Sequence, residues 1–178
     1  MSWVLLAFAL AAQAKASAPP RLVLSVTGAD AAPAAEWSKA RRVVTRILER
    51  AGVVAVWGEG CGPRAVCVQF LSVRPPQAHE DAAGYAVLIG DGAGYAAVYL
   101  PGVARTAEEL DADRGLVLGV TMAHEIGHVL LGRAHSRGVM SARFGWREMW
   151  SAARGELLFG NAEARRLRAE AIRRSAIP

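Results

Sequence analysis

The chain contains the stretch His124-Glu125-Ile126-Gly127-His128-Val129-Leu130-Leu131-Gly132-Arg133-Ala134-His135, which holds three of its four histidines. On a helix, the first two histidines lie on one face, with Cβ atoms about 5–6 Å apart. Both imidazoles can then reach one zinc ion at about 2.0–2.1 Å. Glu125 can reach the ion's open position. Gly132 can end the helix in a left-handed conformation, which lets the chain return His135 as a third ligand.

With four histidines and eleven glutamates in the chain, the pattern His-Glu-x-x-His is expected by chance about 0.005 times. This number disfavours the other interpretation, a buried helix whose histidines are ordinary core residues. Three protein ligands leave one position of a tetrahedral zinc ion open for water, as catalytic zinc sites require. The stretch therefore predicts a zinc site with His124, His128 and His135 as ligands and Glu125 as the catalytic residue.

Composition and length are those of an ordinary globular protein. Of the 178 residues, 53% are apolar and 21% are charged. After removal of a leader, we expect a single domain over residues 17–178. The net charge of +5 comes with no recognised nucleic-acid-binding motif, so we predict no nucleic-acid partner.

Residues 1–16 have the pattern of a secretory signal peptide. An apolar run at residues 3–12 is too short to span a bilayer, and small residues follow it in Ala-x-Ala spacing at residues 12–14 and 14–16. The alternatives are an N-terminal anchor and a misassigned start. We expect a secreted or periplasmic protein whose mature chain has no stable membrane insertion.

Cys61 and Cys67 flank a Gly-Pro turn and are the only two cysteines. In an exported protein, a near-neighbour pair most simply forms one disulfide. The alternative is a pair of free thiols in a protein that stays in the cytosol.

The pattern before the histidines predicts five strands and one helix. The strands are expected at residues 22–27, 53–57, 66–73, 85–89 and 95–100. An apolar stripe predicts a helix at residues 36–51. The glycine-rich joint at residues 90–94 indicates a hairpin turn rather than a phosphate-binding loop, because no helix opens after it.

Two more helices are predicted. Thr106 and Glu109 have capping-box spacing, so we expect a helix that begins there and continues to the histidines. Residues 116–131 are apolar nearly all round, which is typical of a buried helix. A final helix at residues 161–174 is expected to bury Ala164, Leu167, Ala171 and Ile172 and to expose its arginines to solvent.

The chain resembles the metzincins, zinc metallopeptidases with the signature His-Glu-x-x-His-x-x-Gly-x-x-His and a methionine turn. The matching residues are His124, Glu125, His128, Gly132, His135 and Met140. The order of elements also resembles the clan's N-terminal subdomain, so the resemblance covers most of residues 21–145. It implies an α+β, zincin-like fold: a small, mostly parallel sheet packed on a backing helix and a central zinc helix, plus a C-terminal helix.

The chain departs from this signature at two points. One extra residue separates His128 from Gly132, which advances the helix exit by about 1.5 Å and turns it by about 100°. A bulge or altered turn must absorb this shift if His135 binds zinc, and Glu148 and His79 are the substitutes. Ser141 stands where a tyrosine often follows the methionine, so no tyrosine is assigned as an auxiliary proton donor.

The resemblance implies a zinc-dependent endopeptidase that acts on a peptide or protein substrate. Zn²⁺ would activate a water molecule, and Glu125 would accept its proton as general base. It also implies that the strand at residues 85–89 is a sheet edge beside the cleft, to which an extended substrate adds. The alternative is a noncatalytic zinc-binding interaction protein, secreted or periplasmic, that retains the fold.

Overall fold

The computed structural model describes residues 18–177, except residues 77, 79–81 and 90–92. The predicted leader, residues 1–16, and the substitute ligand His79 lie outside the described residues. The described chain forms these strands and helices: β1 (Arg21–Thr27), α1 (Ala34–Arg50), β2 (Val54–Gly58), β3 (Ala65–Leu71), β4 (Gly84–Ile89), β5 (Ala93–Tyr99), α2 (Leu100–Glu109), α3 (Arg114–Leu131), α4 (Trp146–Ala153) and α5 (Asn161–Ser175).

The five strands form one sheet in the order β2-β1-β3-β5-β4. β1, β2, β3 and β5 run parallel, and β4 is antiparallel to β5, with Ala86 opposite Ala96. The predicted small, mostly parallel sheet is therefore confirmed, as is the hairpin pairing of the last two strands. β4 lies at the sheet edge, so one side of its backbone has no strand partner within the described chain.

The sheet packs against helices that supply most of the core. α1 contacts β2 and α3, and α3 contacts β3, β4 and β5. The buried side of α1 is the predicted apolar stripe, which includes Val44, Ile47 and Leu48. Nearly every residue of α3 is buried. This arrangement confirms the α+β class with a backing helix and a central helix that carries His124 and His128.

The predicted continuous helix from Thr106 to the histidines is wrong. The chain forms two helices, because α2 starts directly after β5 and ends before Asp111, whose φ is +46°. Asp113 then caps α3, since its carboxylate accepts a hydrogen bond from the Leu116 amide at 2.9 Å. Thr106 therefore lies inside α2 rather than at the start of a helix.

The short helix α4 is not predicted from the sequence. It begins after Gly145, whose amide donates a hydrogen bond to Glu148 Oε2 at 2.9 Å. Because glycine has no side-chain cap, this start lacks the usual Ser, Thr, Asp or Asn. α4 buries Met149 and Ala152.

The buried face of α5 differs from the prediction at its end. Three predicted core residues are buried: Ala164, Leu167 and Ala171. Ile172, however, is 60% exposed, and Arg174 takes the buried position. Its guanidinium pairs with Glu170 at 3.0 Å and donates to the Ala65 carbonyl at 3.3 Å, which satisfies a buried charge that sequence periodicity cannot foresee.

Cys61 and Cys67 form the predicted disulfide, which joins the loop before β3 to that strand. Within the described chain, none of the helices combines the length and apolarity that crossing a membrane needs.

Candidate metal centre

His124 and His128 lie one turn apart on α3, and each ring is oriented by a backbone carbonyl. Nδ1 of His124 donates to the Val139 carbonyl at 2.8 Å, and Nδ1 of His128 donates to the Gly132 carbonyl at 2.9 Å. A carbonyl can only accept, so both Nδ1 atoms carry the proton. Both Nε2 atoms are therefore left with a free lone pair, which is the form that binds a metal ion.

The Nε2 atoms of three histidines converge on one point. Those of His124 and His128 are 2.9 Å apart, and those of His128 and His135 are 3.2 Å apart. Tetrahedral zinc with Zn–N bonds of about 2.0–2.1 Å would separate two ligand atoms by about 3.3 Å. Two lone pairs facing each other at this distance repel unless a cation lies between them. The three side chains are therefore placed to bind a metal ion.

Burial keeps the two helical histidines neutral. It lowers the pKa of His124 to about 4, helped by repulsion from the other two histidines and opposed by the hydrogen bond to Val139. Burial also lowers the pKa of His128. At neutral pH both rings are therefore neutral, with the proton on Nδ1, so a metal ion has no proton to displace from either Nε2.

His135 reaches the site although one extra residue precedes Gly132. α3 continues through Leu131, and the Gly132 amide still donates to the His128 carbonyl at 3.0 Å. Gly132 then has a φ of +94°, which glycine adopts at little cost. The chain leaves the helix sharply there, and the His135 ring returns against His128 with ring centroids 4.8 Å apart.

Glu125 is buried beside the histidines. Burial raises the pKa of its carboxyl to about 8 in the metal-free site. A nearby cation would lower the pKa of Glu125, because it favours the ionised carboxylate. Its Cγ and Oε1 lie directly against Gly84 at the start of β4, so the carboxyl sits between α3 and the sheet edge.

An open cleft of about 690 Å³ gives access to Glu125 and the three histidines. β4 and the residues just before it line one side, and α2 and residues 141–144 line others. The edge strand therefore lies beside the cleft, as predicted. Phe144 packs edge-on against the His124 ring, with ring centroids 5.3 Å apart.

The residues after His135 support the site without joining the histidine cluster. Val139 and Met140 are fully buried in a 3₁₀ turn, and the Val139 carbonyl holds His124. Glu148, a predicted substitute ligand, instead caps α4. Within the described chain, the only group of three metal-ligating side chains that converge is the histidine cluster. Sequence spacing gave no signal for the carbonyl partners, because both depend on how the turns fold.

Comparisons with known proteins do not assign the chain to a family. No protein-family model matches the chain, and no curated protein matches its sequence. The arrangement of the side chains is therefore the basis of the functional argument.

Proposed function

We propose that the protein is a zinc-dependent endopeptidase. The observation that carries the proposal is the convergence of three imidazole Nε2 atoms next to a buried glutamate, Glu125, at an open cleft. A purely structural site would need neither the cleft nor this carboxyl. The resemblance to metzincins supports the same conclusion, because it assigns His124, His128, His135 and Glu125 to these roles.

The donor set favours zinc over magnesium and calcium. Three neutral imidazoles suit Zn²⁺, whereas Mg²⁺ and Ca²⁺ prefer oxygen ligands. Three protein ligands also leave a fourth position free, as catalytic zinc requires. When bound, the ion would supply Lewis acidity, which lowers the pKa of a water toward 7 and polarises a carbonyl.

Glu125 would handle the proton during hydrolysis. In its ionised form it accepts a proton from the attacking water as a new C–O bond forms at the peptide carbonyl. It then gives this proton to the leaving nitrogen as the C–N bond breaks. Its buried position keeps the carboxyl away from bulk water, which strengthens its electrostatic interactions within the site.

β4 would bind the substrate. Within the described chain no strand pairs with its outer edge, so an extended peptide can add there as a further strand. Gly84 of this strand touches Glu125, so a peptide on this edge would pass close to the catalytic carboxyl. In binding of this kind, backbone hydrogen bonds give affinity and pockets for alternate side chains give specificity.

We also propose that the protein acts outside the cytosol. The disulfide between Cys61 and Cys67 favours an oxidising compartment. The signal-like residues 1–16 support export. We expect a peptide or protein partner and no nucleic acid.

The test is hydrolysis of a quenched fluorescent peptide library by the wild type, Glu125→Gln and the control Glu108→Gln. Glu108 is exposed on α2 and does not line the cleft. Zinc content is measured in all three. Glu125→Gln should keep zinc and lose at least about 100-fold in turnover, the lower range for a general base. Glu108→Gln should hydrolyse the peptides as fast as the wild type does. A chelator should abolish hydrolysis by both proteins.

Full turnover by Glu125→Gln would reject Glu125 as the base. Zinc binding with no hydrolysis of any library peptide would favour the alternative, a noncatalytic zinc-binding protein.

A further inference from the structure

His135 is held differently from the other two histidines. Carbonyls fix the rings of His124 and His128 through Nδ1, and both residues lie on a rigid, buried helix. His135 is exposed, and no described residue makes a hydrogen bond to its Nδ1. The position of its ring therefore depends on the backbone of residues 132–136, here called the His135 loop.

The start of the His135 loop is tied to α5. Arg166 donates a hydrogen bond through Nη2 to the Leu131 carbonyl at 2.6 Å. This carbonyl belongs to the last residue of α3, where no helical partner remains for it. Arg166 thus fixes the point at which the chain leaves the helix.

The end of the His135 loop is tied to the same helix. The Ser136 hydroxyl donates to Glu163 Oε1 at 2.5 Å. The other oxygen of Glu163 accepts from the Gly160 amide at 2.7 Å, which caps α5 and holds the carboxylate in place. The Ser136 amide also donates to the Met140 carbonyl at 2.9 Å.

We propose that the first turns of α5 position His135 for metal binding, with Glu163 and Arg166 as positioning residues. Arg166 binds the chain just before the His135 loop, and Glu163 binds Ser136 at the end of the loop. The third ligand, His135, lies between these two contacts. This clamp would compensate for the missing ring hydrogen bond of His135 and for the extra residue before Gly132. The proposal rests on the metal centre and does not depend on peptidase activity.

Arg168 provides a matched control on the same helix. Its guanidinium donates to the Ala51 carbonyl at 2.7 Å, just after the end of α1. Arg166 and Arg168 therefore make the same kind of contact, but only Arg166 holds the chain that leads to His135.

The experiment measures Zn²⁺ and Co²⁺ affinity by chelator competition, together with the visible spectrum of the Co²⁺ form. It uses the full chain and the variants Ser136→Ala, Ser136→Thr, Arg166→Gln and Arg168→Gln. Unfolding temperatures are measured on the metal-free proteins. Ser136 is exposed, so its variants should remain folded.

Ser136→Ala and Arg166→Gln should each weaken metal binding by about tenfold or more, the usual effect of losing an outer-shell contact. Their Co²⁺ spectra should shift toward weaker ligation. Ser136→Thr keeps a hydroxyl and should restore affinity. Arg168→Gln should lower the unfolding temperature as much as Arg166→Gln does but bind metal normally.

Unchanged affinity and spectra in both Ser136→Ala and Arg166→Gln would overturn the proposal. It would also be overturned if Arg168→Gln lost as much affinity as Arg166→Gln, because the effect would then be one of general stability. Because no substrate is used, these outcomes are independent of whether the protein hydrolyses peptides.

Discussion

Gly84 and Glu125 are in direct contact, with no space for a side chain between them. A Cβ atom placed on Gly84 would lie 2.8 Å from Cγ and 2.9 Å from Oε1 of Glu125. Real Cβ atoms essentially never approach another heavy atom this closely. The edge strand therefore packs directly against the Glu125 carboxyl, so the proposed substrate-binding edge and the proposed base are in contact.

Gly84→Ala should impair catalysis more than metal binding. The new methyl group must displace the Glu125 side chain or shift β4, since it would also lie 2.8 Å from the Ala97 carbonyl oxygen. We expect peptide hydrolysis to fall by about 100-fold, in line with the effect of a small misplacement of a reacting group. Zinc content should remain that of the wild type.

Gly58→Ala is the control for this substitution. Gly58 ends the opposite edge strand, and a Cβ there would meet only a Val23 methyl group at 3.4 Å. Hydrolysis by Gly58→Ala should be unchanged. Equal activity of the two variants would show that the Glu125 carboxyl does not need the space at Gly84.

Asp113 should stabilise the start of α3 through its side chain. Its carboxylate accepts from the Leu116 amide at 2.9 Å and pairs with Lys39 at 3.0 Å. Asp113→Ala should reduce the free energy of unfolding by about 1 kcal/mol in urea denaturation, whereas Asp113→Asn, which keeps the cap, should lose less. Equal losses would mean that the ion pair with Lys39, rather than the cap, matters.

Glu170 should make stability depend on pH. Burial raises the pKa of this carboxyl, but hydrogen bonds and charges of Arg173 and Arg174 outweigh burial and hold its pKa below the ordinary 4.5. A lowered carboxyl pKa stabilises the fold above the unfolded-state pKa, and this contribution disappears as pH falls through the folded-state pKa.

Wild type should therefore be more stable than Glu170→Gln by about 1–2 kcal/mol at pH 7. The difference should shrink as the pH falls below about 5. Denaturation curves at several pH values measure it. A constant difference between pH 7 and pH 3 would contradict the assignment.

Removing the metal ion should lower the unfolding temperature but leave the protein folded. Leu118, Met122 and Ile126 of α3 are fully buried against the rest of the core, and this packing does not use the metal ligands. A ligand at a thousandfold excess over its Kd adds about 4 kcal/mol. The unfolding temperature of the chelated protein should thus rise with added zinc. Loss of cooperative unfolding after chelation would contradict this expectation.

Much of the fold follows from local sequence patterns. The apolar stripe at residues 36–51 and the buried helix at residues 116–131 both have the periodicity that packing against a sheet requires. The capping-box spacing of Thr106 and Glu109 predicts one continuous helix, whereas the positive φ of Asp111 separates α2 from α3 and Asp113 caps α3. The sequence does not indicate α4, because Gly145 at its start has no side chain that could cap the helix.

The metal ligands of the candidate site can be predicted from the sequence, whereas the groups that hold those ligands in place cannot. His124 and His128 are four residues apart, so they lie on the same face of any α-helix. The Val139 carbonyl and the contacts of Arg166 and Glu163 lie 15 or more residues from the groups they hold. Only the folded chain brings these partners together, so spacing alone does not indicate them.

The most direct measurement is the zinc content of the purified protein by elemental mass spectrometry, compared between the wild type and His135→Ala. We predict one zinc ion per wild-type chain, lost or much more weakly bound in the variant. No zinc in the wild type would contradict the metal centre, and full retention in His135→Ala would show that the third ligand is another residue.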